Sequence, residues 1–260
     1  MTRFLGLDFA DLALSDAAEA IAERPAGAPF AYVVTPNADH LVRLRLGNRL
    51  VETGQAESLR AIYRRAALCL LDSRAVALLA ALFRLKPPPV VAGSELTERL
   101  LAHHVLPGER IVIIGLSPVW LPALIGRYDL APPAHYDPPM SFERNPAEVA
   151  KVVAFLKAHP ARFVFLAVGS PRQERLAALL AETKGVTGMG LCIGASLEFL
   201  CGARRRAPRM LQRCGLEWVW RLVQEPRRLS HRYLVDSPKV IALLWRQRRM
   251  TVRLRRRLRA

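Results

Sequence analysis

Arg162-Phe163-Val164-Phe165-Leu166-Ala167-Val168-Gly169-Ser170-Pro171-Arg172-Gln173-Glu174 is the stretch on which the fold turns. Its first seven residues are an apolar, β-branched and aromatic run of strand length. Gly169-Ser170 ends that run, Pro171 takes the first helical position, and Arg172, Gln173 and Glu174 fill the first turn of a helix. Such a hand-over is half of a βαβ unit, and it recurs along the chain. Further strand-like runs over 30–35, 68–71, 110–114 and 186–193 alternate with helical patterns over 39–46, 73–85, 95–104, 146–158 and 171–183. The spacing predicts an α/β fold, a Rossmann-like parallel sheet with helices on both faces. Pro36, Gly93, Gly115, Gly169 and Gly194 punctuate the strand exits, the edge where open α/β sheets take their ligands.

At that edge Gly169 and Ser170 lead into Pro171 at the first helical position, and the free backbone N–H groups of the first turn, with the positive end of the helix dipole, make a seat suited to a pyrophosphate. The stretch has no Walker lysine and is not a GxGxxG, which counts against P-loop hydrolysis and ordinary dinucleotide binding. The glycines at 188, 190 and 194 have the wrong spacing for a dinucleotide fingerprint and are expected to mark close backbone approach. Thr35-Pro36-Asn37 places a hydroxyl and a carboxamide at the same edge. These groups suit a sugar or nucleotide, although Asn37 also suits the N-cap of the next helix. Asp72 comes directly after an apolar run and before a helix. It is either a partly buried carboxylate able to take a proton or a plain N-cap.

The charge is not evenly spread. Residues 203–260 hold 18 of the 39 Arg and Lys but only 3 of the 22 acidic residues. This divides the chain into a nearly neutral α/β domain over 1–202 and an Arg-rich helical appendage over 203–260. Breaks are expected near Pro226 and Pro238. Cations interleaved with Trp218, Trp220, Trp245 and leucines call for an anionic partner, a membrane surface or nucleic acid. Residues 216–223 are expected to pack on the body and the chain end to meet lipid. No apolar stretch reaches the roughly 20 residues of a spanning helix. The N-terminus meets Asp8 before a secretory core develops, so the expected location is cytoplasmic. Cys69, Cys192, Cys201 and Cys214 show no CxxC spacing and are expected to be buried free thiols. The histidines form no metal-ligand pair, and none of the patterns calls for a metal or a cofactor.

Taken in order, Thr35-Pro36-Asn37, Asp72, Gly93-Ser94-Glu95-Leu96, the Gly169-to-Glu174 run, residues 190–198, Arg206-Ala207-Pro208, Leu216-Glu217-Trp218, Arg221-Leu222, Glu225-Pro226-Arg227-Arg228 and Arg232-Tyr233 resemble the WecG/TagA/CpsF glycosyltransferases, glycosyltransferase family 26. The resemblance implies an inverting transfer without an obligatory metal. The sugar would pass from a UDP-sugar donor to an undecaprenyl-diphosphate-linked saccharide, in surface polysaccharide biosynthesis on the inner face of the cytoplasmic membrane. It implies Asp72 as general base, with Thr35, Asn37, Gly93, Ser94, Gly169, Ser170, Pro171, Gln173 and Glu198 in the substrate site. Arg206, Arg221, Arg228 and Arg232 become candidates for contact with the diphosphate or the membrane. Ser73 and Glu198 depart from the family's usual Gly and Asp, so the donor is left among an N-acetylmannosamine-type sugar, its uronic acid and glucose. The implied partners are that donor, a polyprenyl-diphosphate-linked acceptor and an anionic membrane surface, with no nucleic acid; a homo-oligomer is compatible with the sequence. Residues 135–140 are expected to form a loop over the site. The rival readings are a basic nucleic-acid-binding α/β protein, a nucleotide-dependent oxidoreductase and a catalytically degenerate scaffold.

Overall fold

A computed structural model describes residues 1–47 and 53–257. The chain opens with a hairpin, β1 (Thr2–Phe4) and β2 (Leu7–Phe9), before α1 (Leu14–Ala22), β3 (Ala31–Val34), α2 (Ala38–Leu46), α3 (Thr53–Arg65), β4 (Leu68–Cys69), α4 (Arg74–Leu82) and α5 (Gly93–His103). It continues through β5 (Val112–Gly115), α6 (Leu121–Tyr128), β6 (Ala134–Tyr136), α7 (Pro146–Ala158), β7 (Phe163–Ala167), α8 (Arg172–Glu182), β8 (Met189–Cys192) and α9 (Ser196–Leu200). The C-terminal segment comprises α10 (Arg209–Arg213), α11 (Glu217–Gln224), α12 (Pro226–Ser230), a π-helical stretch His231–Asp236 and α13 (Lys239–Arg257). Pro226 opens α12 and Pro238 precedes α13, so the two expected breaks fall where proline forbids an interior hydrogen bond. The last three residues of the expected appendage, 258–260, lie outside the described residues.

The main sheet runs β4-β3-β8-β7-β5-β6, and every pairing in it is parallel. Period-two alternation sends successive side chains of each strand into two different cores. On one face Tyr32, Val34, Val112, Ile114, Val164 and Leu166 pack under α2, α3, α4, α7 and α8. On the other, Val33, Ile113, Phe163, Phe165 and Leu191 pack under α1, α5, α6 and α9. Both faces are therefore covered, which is why these strands read as unbroken apolar runs. Removing a side chain such as Phe165, fully buried, from water stabilises the fold by about 2–3 kcal/mol.

The glycines around β8 behave as their spacing suggests. A Cβ at Gly188, which has φ +95°, would stand 2.0 Å from the Ala161 carbonyl oxygen, and one at Gly190 would stand 2.4 Å from the Phe30 ring. They admit close neighbours rather than a dinucleotide.

Three expectations need correction. Residues 134–136 form the edge strand β6, with His135 Nε2 facing the carbonyl oxygens of Gly115 and Leu116 at 3.1 and 2.8 Å. The loop begins only at Asp137, and it meets the start of α8 where Arg172 contacts Met140. Cys214 is exposed, while Cys69, Cys192 and Cys201 are buried; all are free thiols. In α11 no residue is buried, and Leu216 and Val223 are exposed, so 216–223 is not the packed part of the C-terminal segment. That role falls to Leu229 and to Val240, Leu243 and Leu244 of α13. The α13 residues join the α2 and α4 core, and Gln247 Oε1 accepts the backbone N–H of Leu5 at 2.7 Å. No helix among the described residues is long and apolar enough to cross a membrane.

Candidate active site

A cleft of about 860 Å³ lies over the carboxyl ends of the four neighbouring strands β4, β3, β8 and β7. Each strand exit contributes to it: Asp72 and Ser73 after β4, Thr35 and Asn37 after β3, Gly194 and Ala195 after β8, and Gly169, Ser170 and Pro171 after β7. Segments far apart in sequence converge because parallel strands all point their carboxyl ends the same way.

Asp72 is not the cap of α4. Ser73 fills that role, its hydroxyl accepting the Val76 N–H at 3.2 Å, and the Asp72 carboxylate is left to the cleft. There it accepts the backbone N–H of Gly93 at the start of α5. Burial and then the negative charge of Glu217 push its pKa up to about 7, against the lowering effects of the Gly93 N–H and Arg221. A carboxylic acid balanced near neutrality and open to a cleft can take a proton from a bound hydroxyl. Gly93 is glycine for a visible reason. A Cβ there would lie 3.1 Å from Thr35 Oγ1 and 3.5 Å from both Asp72 Oδ2 and Ser196 Oγ, so its bare face is where three polar side chains meet. Thr35 is itself buried and donates to the Cys192 carbonyl at 3.2 Å. Asn37 caps α2 through Oδ1, which accepts from the N–H groups of Asp39 and His40, and it also faces the cleft.

The floor beneath the Gly169–Pro171 loop is charged. Arg43, 1% exposed, donates to Ser170 Oγ at 3.0 Å and to Asp39 Oδ2 at 2.5 Å, and its Nε has no hydrogen-bond partner among the described residues. Arg232 from the C-terminal segment reaches the same Asp39 oxygen at 3.4 Å. Burial works to raise the Asp39 carboxyl, but Arg232 and Arg43 outweigh it and hold the group below the usual carboxylate range. Beside them burial, together with the same two arginines, holds His40 well below the usual imidazole value, so it is neutral; its Nδ1 has no hydrogen-bond partner among the described residues. Gln173 is 2% exposed and mainly ties loops together. Its Oε1 accepts the Gly194 N–H at 2.9 Å and its Nε2 donates to Glu174 at 3.1 Å. It joins the β7 and β8 exits.

The C-terminal segment closes one side of the cleft with Glu217, Trp218, Arg221, Arg228, Arg232 and Tyr233. Arg221 stacks on the Phe199 ring, 5.2 Å from its centroid, and Arg228 pairs with Glu225. Ser94 lines the cleft as expected. Three expected site residues do not: Gly93, which is buried and meets the site through its N–H to Asp72, and two charged ones, Glu198 and Arg206. Glu198 pairs with Arg204 at 2.5 Å, and Arg206 lies 3.4 Å from both Glu95 and Glu98. Both are spent on holding the segment against α5 and α9, because a neighbouring opposite charge was within reach before any ligand. Arg43 and His40 are cleft residues that no sequence motif singles out, while Ser196 and Glu217 fall inside motifs of the resemblance without an assigned role. Arg43 and His40 lie inside an ordinary helical pattern, and only the strand order brings them under Ser170. Among the described residues no three His, Cys, Asp or Glu side chains cluster as a metal site requires.

A doubly covered parallel sheet, with a base-like carboxylate and several arginines in a cleft at its carboxyl edge, defines an α/β enzyme of the group-transfer type. The model of the glycosyl transferase WecG/TagA/CpsF family matches residues 2–254, and the chain belongs to that family. It is a glycosyltransferase.

Proposed function

We propose that the protein transfers a hexose-type sugar, with inversion and without an obligatory metal, from a UDP-sugar to a saccharide carried on undecaprenyl diphosphate. The observation that carries this reading is the pairing of opposite needs in one cleft. Asp72 stands poised near pH 7 on one side, and the cations Arg221, Arg228 and Arg232 stand on the other.

In this scheme the acceptor hydroxyl attacks the anomeric carbon from the side opposite the nucleotide. Its proton passes to the Asp72 carboxylate as the new C–O bond forms. The bond from the anomeric carbon to the diphosphate breaks, and its electron pair leaves on UDP. Negative charge grows on that diphosphate, and arginines and the N-terminus of α8 are suited to stabilise it. Thr35, Ser94, Ser196 and the Gly169–Pro171 loop supply donors and acceptors for sugar hydroxyls and phosphate oxygens. A neutral His40 can hydrogen-bond without adding charge beside the two arginines.

A lipid-linked acceptor keeps its diphosphate at the headgroup layer, so the enzyme works as a peripheral protein on the inner membrane face. On α13 Ile241, Trp245, Met250 and Leu254 are exposed among Arg246, Arg248, Arg249 and Arg253, and Arg249 lies over the Trp245 ring at 4.2 Å. Exposed apolar side chains interleaved with cations, Ile241 and Trp245 on one face of the helix and Met250 and Leu254 on the opposite one, suit an anionic interface. The direct test is UDP release from a panel of UDP-sugars with a short polyprenyl-diphosphate saccharide as acceptor. Turnover of one donor, dependent on the acceptor, is expected; no release from any donor overturns the reading.

A further inference from the structure

Besides Asp72, three carboxylates that the transfer scheme leaves unused line the cleft: Asp39, which pairs with Arg43 and Arg232, Glu143 and Glu217. Glu217 opens α11 and lines the cleft, half-buried. Among the described residues it makes no hydrogen bond or ion pair, although Arg221 stands one turn further along the same helix. The other carboxylates of this region are committed: Glu95 to Arg74 and Arg206, Glu98 to Arg127 and Arg206, Glu198 to Arg204, and Glu225 to Arg204 and Arg228. An unpaired carboxylate among so many cations is held there by backbone geometry rather than by attraction.

That geometry is visible. Gly215, two residues earlier, has a left-handed backbone with φ +72°, and a Cβ there would lie 3.1 Å from the Ala75 backbone nitrogen and 3.1 Å from Leu78 Cδ1. The turn into α11 is thus pressed onto the first turn of α4, the helix that comes directly after Asp72 and Ser73. Glu217 thereby lines the same cleft as Asp72, and of the charges acting on Asp72 that of Glu217 is the largest.

We propose that Glu217 is a positioning residue for the transfer, a fixed negative charge that the C-terminal segment sets beside Asp72 so that the body's carboxylate accepts the proton of the acceptor hydroxyl. The inference rests on the transfer reading and deepens it. The groups facing Asp72 are Glu217 and Arg221 from α11, Glu95 from α5, and the Gly93 N–H; Arg74 from α4 also lines the cleft. Among them Glu217 is the nearest unpaired like charge, and like charges sharing a site make the proton harder to remove and easier to accept. The body then holds the base and the segment sets its strength. A chain with the segment displaced would keep Asp72 but lose its basicity.

The test uses the full chain labelled with 13Cγ aspartate, in which the Asp72 signal is assigned by its loss in Asp72→Asn. In Glu217→Gln the Asp72 titration midpoint is expected to move to lower pH, whereas Glu217→Asp, which keeps the charge, leaves it near the unsubstituted protein's. With a donor and acceptor turned over, the acid limb of kcat/KM moves with the midpoint in Glu217→Gln, and the plateau falls about three- to tenfold because a weaker base removes the proton more slowly. An Asp72 midpoint unchanged in Glu217→Gln overturns the proposal, whatever the activity. Full turnover in Asp72→Asn overturns the base assignment instead, so the two failures are separable.

Discussion

The α/β body and the C-terminal segment are built on different terms. In the body nearly every residue of the central strands β3, β8, β7 and β5 is buried between two apolar cores. From residue 203 onward Ala207, Leu229, Val240, Leu243 and Leu244 are the buried apolar residues, while Met210, Leu216, Val223, Leu234, Val235, Ile241 and Trp245 stay exposed. Its other ties to the body are mostly ionic, Arg204 to Glu198, Arg206 to Glu95 and Glu98, and Arg232 to Asp39, joined by the Leu5 N–H to Gln247 and by Arg221 on Phe199. Half-exposed ion pairs contribute little each and weaken with salt. The body is therefore a folded platform, and the segment is an attachment whose charges and apolar groups serve the cleft and its surroundings. We propose the division near residue 202 as a functional one, with the base on one side and its tuning and neutralising groups on the other.

The largest expected effect breaks the comparison at its chemical centre. Asp72→Asn should lower turnover by about 10²- to 10⁴-fold. Native Asp72 holds its proton more tightly than an unfolded aspartate, so between about pH 4 and pH 7 the folded state binds the extra proton and stability falls as pH rises. Asp72→Asn should therefore raise Tm at pH 8 and leave it nearly unchanged at pH 4, a result that thermal unfolding at the two pH values checks. For the unsubstituted enzyme, kcat/KM should fall as pH drops through about 7, as Asp72 takes up its proton.

Next come the two arginines that share Asp39, one from each region. Arg43→Met leaves a buried carboxylate short of its closest partner and should cost about 3 kcal/mol of global stability. Arg232→Met, at the half-exposed and longer contact, should cost about 1 kcal/mol or less. Denaturant unfolding measures both. Equal losses would mean that the segment belongs to the same cooperative unit as the body on the same terms.

Membrane attachment should respond only to the segment. Replacing Arg246, Arg248, Arg249 and Arg253 together by Gln should weaken sedimentation with anionic vesicles by about a hundredfold at low salt, since each cation near such a surface contributes on the order of 1 kcal/mol before screening. Soluble-acceptor turnover should be little changed, and high salt should mimic the substitution. The last effect is the most local. Gly215→Ala forces a Cβ against α4 at positive φ and should cost about 1–2 kcal/mol. The loss should show as reduced kcat/KM more than as reduced Tm of the body.

Much of the site is legible in the sequence as a set of places, and less of it as a set of contacts. Thr35, Asn37, Asp72, Ser94 and the Gly169–Pro171 loop all line the cleft because strand exits are marked locally by Gly, Pro and a change of period. Gln173 reads in the sequence as a ligand contact, yet in the fold it mainly braces two loops. Glu198 and Arg206 found charged partners on neighbouring helices. The short strands β1, β2 and β6 have three residues each, too few for alternation to register.

By itself, then, the sequence determined the parallel, doubly covered sheet, the edge that carries the cleft, and the uneven distribution of charge. These come from hydrophobic period, turn residues and composition, all of which act over a few neighbouring positions. Only the tertiary structure decided that Ser73 rather than Asp72 caps α4, that Arg43 lies beneath Ser170, and that Glu217 faces Asp72. Those relations join residues far apart in the chain. They depend on the strand order β4-β3-β8-β7-β5-β6 and on the turn at Gly215, and packing selects both among alternatives that the same local patterns permit.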